Sequence, residues 1–135
     1  MVIRPTATVA RADIMVCYMA TSRDLLLAER GRTQARMQAL EREFADIAEA
    51  ASSAGTDDEH DPEGATLAFE RQHTAALLDQ AREQLAAIDA ALRKLEDGSY
   101  GTCQRCGQPI GAARLAARPS ATTCLPCARP PSRRG

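Results

Sequence analysis

Aromatic side chains are almost missing from this sequence, which has two Tyr, two Phe and no Trp in 135 residues. A β-sandwich or barrel draws on aromatic and β-branched residues for its paired faces, so those folds are disfavoured. Long apolar runs are missing too. The nearest candidate, Ile14 to Ala20, has seven residues, against about 20 for a membrane-spanning helix. It follows Asp13 and so also makes a poor signal-peptide core. We therefore expect no membrane contact and a cytoplasmic protein. Net charge is nearly absent at −1, which argues against a general polyanion binder. There is no phosphate loop, no paired nucleophile and base, and no pattern for an open metal site, so an enzyme is not expected. His60 and His73 read most simply as solvated side chains.

Ala, Leu, Arg, Glu and Gln fill the space that the missing residues leave, and they favour helix. By length the chain is one domain, or a small module with a long extension. Its charge is unevenly placed. Five acids and no base lie between Asp57 and Glu63, whereas six Arg and no acid lie between Gly98 and Gly135. The near-zero total therefore conceals an acidic segment mid-chain and a basic C-terminal third.

Alternating steps of four and three pick out two seams. The first reads Leu26, Arg30, Thr33, Met37, Leu40, Phe44, Ile47 and Ala51, with Arg30 and Thr33 as interruptions. The second reads Leu67, Arg71, Thr74, Leu78, Ala81, Leu85, Ile88, Leu92 and Leu95 and is apolar from Leu78 onward. Such narrow seams belong to coiled coils rather than to broad-faced globular helices. Thr21 can cap the first helix with Asp24 as its capping-box partner, and Gly98 stands where a helix-ending glycine belongs. Between the seams, residues 52–62 are rich in breakers and acids. Asp61 and Pro62 suit the N-cap and first turn of the second helix, and a short connection implies antiparallel neighbours. Helices of roughly 30 residues would be roughly 45 Å long. The Arg30 and Thr33 interruptions argue against a long continuous oligomeric coil, so a monomer is expected.

Cys103 and Cys106 form one C-x2-C pair and Cys124 and Cys127 another, with 17 residues between them. This spacing fits a four-cysteine zinc site. Each pair makes a knuckle that presents two thiolates, and four thiolates close a tetrahedral shell. Gly107 lets the chain turn back after the first knuckle. Disulfides are the alternative, but they are rare in a cytosolic chain, and a thioredoxin-like redox pair needs a βαβ context. One structural Zn2+ is expected, closed to substrate and supplying folding free energy to a segment with few apolar side chains. Cys17 is left over as an ordinary free thiol.

The hairpin, its acidic turn and the C-x2-C-x17-C-x2-C pattern together resemble the DksA/TraR C4-type zinc-finger family of RNA polymerase-binding regulators. The densest likeness is Leu95-Glu96-Asp97-Gly98-Ser99-Tyr100-Gly101-Thr102-Cys103, followed by Ile110-Gly111, Arg114-Leu115 and Ala117-Arg118-Pro119. The resemblance implies binding at the rim of the polymerase secondary channel, with the hairpin inserted so that tip carboxylates alter initiation. The tip acids here are Asp57, Asp58, Glu59, Asp61 and Glu63. The better-studied members carry D-x-x-D-x-A at the tip. Counted back from Cys103, Glu63 falls at the second Asp, Ala65 at the Ala and His60 at the first Asp, with Asp61 next to it. Arg114 and Arg118 are the implied polymerase or alarmone contacts. Some members respond to ppGpp through basic residues near the finger. Arg118 matches one such position, but Ala87 and Ala128 stand where two others would be basic, so no strong alarmone response is expected.

The sequence thus predicts a mainly α protein in four stretches. These are an N-terminal arm at 1–20 without clear period, an antiparallel coiled-coil hairpin at 21–97 with its tip near 54–65, a C4 zinc finger at 98–128 and a basic tail at 129–135. The predicted function is transcription regulation by binding RNA polymerase. The alternative is a nucleic-acid-binding finger that uses Arg105, Arg114, Arg118 and Arg129 on phosphates. Against it stand the single aromatic of the finger region, Tyr100, and the lack of a base-reading helix of the C2H2 kind. Sequence-specific DNA binding is therefore not expected.

Overall fold

The computed structural model describes the backbone of residues 11–53 and 62–131 and the side chains of 16–53 and 64–131. Among the described residues four helices follow one another: α1 (Arg11–Ser53), α2 (Pro62–Asp97), α3 (Ala112–Ala117) and α4 (Leu125–Ala128). Among the described residues no strand forms, although an isolated antiparallel bridge joins Thr102 and Pro109. With 43 and 36 residues, α1 and α2 are about 65 and 54 Å long. No described helix is long and apolar enough to cross a membrane.

The chain divides into two compact units. One joins residues 28–89; the other joins α1 as far as Leu27 to the chain from Ala90 onward.

In the 28–89 unit the two helices run antiparallel. Arg30 pairs with Asp89, Glu29 accepts a hydrogen bond from Gln84, and the Arg71 guanidinium lies over the Phe44 ring. Partner numbers fall along α2 as they rise along α1. Leu40, Leu78 and Ala81 form a buried cluster against which Met37, Phe44 and Leu77 pack. Ile47, Thr74 and Ile88 are also buried, at the spacing the seams predict. Arg30 and Thr33, read from the sequence as interruptions, belong to the seam. Thr33 is buried, and the Arg30 Nε donates to Asp89 Oδ1 at 2.7 Å. A polar seam residue is tolerated when its partner reaches it across the interface, and among the described residues no buried side-chain nitrogen or oxygen lacks a partner. The outermost seam positions do not bury: Ala51 and Arg71 are exposed and Leu67 is only half-buried. Phe69 is also exposed and stacks on the exposed His73 with ring centroids 6.4 Å apart.

The expected start of the first helix needs correction. α1 begins at Arg11, so residues 11–20 of the predicted arm are helical. Thr21 lies inside the helix, and its hydroxyl donates to the Cys17 carbonyl at 2.9 Å. Threonine can cap a helix or back-bond to the preceding turn, and no Gly or Pro between Arg11 and Thr21 stops the helix. Leu26, fully buried, and Ser22 carry the α1 seam into this second unit, where Ala91 and Leu95 of α2 are buried as well. Cys17 is exposed and unpaired with any cysteine.

α2 starts at Pro62, as the Asp61-Pro62 pair predicts, and ends at Asp97 before Gly98. Gly98 takes φ 82°, and the Ser99 amide donates to the Lys94 carbonyl at 3.0 Å. This is the six-to-one bond of a Schellman cap, where a left-handed residue favours glycine. The acids Asp57, Asp58, Glu59 and Asp61, with His60, lie outside the described residues. Glu63 falls in the first turn of α2, and Ala65 just after it is exposed.

Candidate metal centre

The finger begins where α2 stops. Its first knuckle is closed by backbone alone: the Cys103 amide donates to the Gln108 carbonyl at 2.8 Å and the Gly107 amide to the Cys103 carbonyl at 3.0 Å. Gly107 reverses the chain at φ 73°, where a side chain would strain the backbone. The second knuckle sits on α4. Cys124 precedes its first turn, Pro126 suits that turn, and the Ala128 amide donates to the Cys124 carbonyl at 3.0 Å. The Gln104 amide donates to the Thr122 carbonyl at 2.9 Å and so ties the two knuckle loops together.

These ties gather the four predicted ligands. The sulfurs of Cys103, Cys106, Cys124 and Cys127 all lie within 4.8 Å of one another. A tetrahedral zinc shell with Zn–S bonds of about 2.3 Å has edges of about 3.8 Å. The Cys106 and Cys124 sulfurs stand 3.6 Å apart, and all five cysteines of the chain are free of disulfides. The donor set therefore fits zinc. Its electrostatics point the same way. Backbone N–H groups of Cys124 and then Cys106 draw the Cys103 thiol down to about 6. Hydrogen bonds that the Cys127 thiol donates to the sulfurs of Cys124 and then Cys106 push Cys127 up to about 12. Four packed thiols cannot all ionise against one another, and a doubly charged cation at their centre removes that conflict.

The cluster is also the floor of a small core. Cys103 and Cys124 are buried with Ile110 and Leu115, and Tyr18, Tyr100, Ala121 and Cys127 pack against them. Tyr18 comes from the stretch of α1 that the sequence predicts as part of an N-terminal arm without clear period. The Tyr100 hydroxyl donates to the Pro119 carbonyl at 2.7 Å, which anchors the loop after α3.

The arginines divide. Arg114 Nε donates to the Thr123 carbonyl at 2.8 Å, and Arg105 Nη1 donates to the Cys127 carbonyl at 2.9 Å. Both therefore serve the finger itself, a role the sequence did not announce because a backbone acceptor leaves no motif. Arg118 is exposed, so of the two expected contact residues it is the one turned to solvent.

Comparison with known proteins follows the same lines. The family model described as the prokaryotic dksA/traR C4-type zinc finger matches residues 98–133, the stretch holding all four ligands. The RNA polymerase-binding transcription factor DksA of Caulobacter vibrioides is 59% identical over 44 residues, covering 33% of this chain and 31% of that protein. The protein of the same name from Escherichia coli strain K12 is 43% identical over 49 residues, covering 36% of this chain and 32% of its own. The matched stretch thus spans about a third of the length of these curated relatives. A solved structure, that of the transcription factor DksA2 from Pseudomonas aeruginosa, matches with a TM-score of 0.68 and 34% identity over 82% of this chain and 80% of that one. The zinc is structural, because four thiolates close its shell.

Proposed function

We infer the function from a premise of kinship: the chain belongs to the DksA/TraR family of C4-type zinc-finger proteins. We propose that it is a transcription regulator that binds RNA polymerase in the cytoplasm. In this reading the turn between α1 and α2 enters the polymerase secondary channel, and carboxylates of Asp57, Asp58, Glu59, Asp61 and Glu63 act there on initiation. The observation that carries the proposal is the pairing, in one chain, of a four-cysteine finger with an antiparallel hairpin that holds five acids and no Lys or Arg between Asp57 and Glu63, in its connection and the first turn of α2. A helical hairpin is narrow enough for a channel that excludes a globular domain. Carboxylates at its turn could meet a basic or metal-containing site inside.

Binding rather than catalysis is the proposed role. Zinc holds the finger's fold, and exposed Arg118 is the proposed contact to the polymerase. A strong ppGpp response is not proposed, because Ala87 and Ala128 supply no charge. The finger's geometry also weakens the nucleic-acid alternative, since Arg105 and Arg114 already donate to carbonyls of their own chain. A pull-down with core RNA polymerase, together with transcription from a defined promoter, tests the reading. Retention of the polymerase and an altered transcript yield are expected. Failure to retain polymerase, with retention of duplex DNA in a salt-dependent manner, would favour the alternative.

A further inference from the structure

We propose that Arg114 and Arg105 are positioning residues of the zinc centre, holding the second knuckle in the geometry that keeps the metal. The inference rests on the zinc finger alone and is independent of the polymerase reading.

One peptide plane links Arg114 to a zinc ligand. Arg114 Nε donates to the Thr123 carbonyl at 2.8 Å. A peptide is planar, so fixing this carbonyl also fixes the N–H on its far side, which belongs to Cys124. That N–H points at the sulfur of Cys103. A guanidinium on α3 therefore orients, through a single rigid peptide, a hydrogen bond to a ligand sulfur on the opposite knuckle. A charged donor also polarises the peptide and strengthens the bond beyond it. Leu115, next to Arg114, is buried in the finger core and fixes the register of α3.

Arg105 makes the complementary tie. It lies inside the first knuckle, between Cys103 and Cys106, and its Nη1 reaches the carbonyl of Cys127, the last ligand. The second knuckle is thereby held by two arginines from outside it. Zinc with four thiolates is a dianion overall, and two guanidinium groups bonded to the ligand-bearing loops offset that charge. Partners of this kind behind metal ligands commonly change metal affinity by about 10–100-fold.

The test compares zinc-loaded full-length wild type with Arg114→Ala, Arg114→Lys, Arg105→Ala and Arg118→Ala. Zinc transfer to excess chromogenic chelator gives the release rate, and the cobalt(II)-substituted protein gives a spectrum of the thiolate shell. Arg114→Ala should release zinc about 10-fold faster while keeping a tetrahedral four-thiolate cobalt spectrum. Arg105→Ala should shift the rate in the same direction by less, because its side chain is exposed. Arg114→Lys should recover part of the loss through its one charged donor, and Arg118→Ala, which changes charge alone, should match wild type. Should Arg114→Ala fail to load metal, faster release from Arg105→Ala and Arg114→Lys still supports the proposal, and wild-type rates from both overturn it. Arg114→Ala releasing zinc at the wild-type rate would overturn it outright. So would equal acceleration by Arg118→Ala, since any lost cation would then have the same effect.

Discussion

Between residues 28 and 89, apolar side chains recur at every third or fourth position; Leu40, Leu78 and Ala81 cluster across the two helices and Ile88 is fully buried. After Gly98 there is no such supply. The finger's buried cluster has four members, and two of them, Cys103 and Cys124, are also metal ligands. The hairpin therefore distributes its stability along a seam, whereas the finger concentrates it at one ion. Damage at one place in the hairpin should be graded, and damage at the metal should be all or nothing for the finger.

Removing the metal should give the largest effect. Structural zinc is worth about 10–16 kcal/mol in zinc-finger peptides, more than the finger's few apolar contacts can supply. Cys103→Ser should unfold the finger and lower the zinc content well below one per chain while leaving much of the far-ultraviolet helical signal. Loss of most of that signal would show that the seams need the finger, and would erase the contrast. Acid should act in the same way, because protons compete with zinc for the thiolates; zinc content measured across a falling pH series tracks this loss.

Next in size come the seam residues. Ile88→Ala should cost about 2–5 kcal/mol in chemical denaturation, since the side chain is fully buried. Leu85→Ala and Leu92→Ala, at half-buried seam positions, should fall at or below the low end of that range. Equal costs at all three would mean that burial does not grade the seam.

A smaller effect belongs to the Arg30–Asp89 pair. Its side chains are 39% and 34% exposed, so solvent screens it, and a double-mutant cycle should return about 0.2–1 kcal/mol, decreasing with salt. The smallest concerns the junction. Hydrogen bonds from the Ser99 hydroxyl and amide hold the Asp97 carboxyl below its ordinary value of 3.8. The native state thus favours the charged form. Its contribution is full above that value and is lost as pH falls through the lower native one. Wild type and Asp97→Asn should therefore differ slightly at pH 6 and converge on acidification in pH-dependent unfolding curves.

These contrasts also mark what could be read in advance. The seams were legible because burying one face of a helix demands steps of three and four, and Leu78, Ala81, Ile88 and Leu95 all obey. The four ligands, the end of α2 at Gly98 and its start at Pro62 were legible because each rests on local chemistry. Features that depend on distant partners were not. Arg30 looked like a defect because Asp89 lies 59 residues away. Thr21 looked like a cap because the same hydroxyl serves a helix end or a helix interior. The tie from Arg114 to Thr123 was not legible because its acceptor is a backbone carbonyl, which no motif encodes. Tyr18 gave no sign of packing on the finger, since nothing in its own neighbourhood repeats.

In the proposed division of labour, the acids between α1 and α2 act on the polymerase while the finger and the sides of the hairpin hold it. The most direct measurement takes Asp61→Asn with Glu63→Gln in one chain and reads polymerase affinity and transcript yield side by side. The division expects affinity to stay close to wild type while the effect on initiation disappears, and Arg118→Ala to do the reverse, weakening binding most at low salt, where exposed charges are least screened. A double variant that regulates like wild type would reduce the acids to a soluble cap on α2, and one that loses binding altogether would make the turn the anchor; either result contradicts the claim.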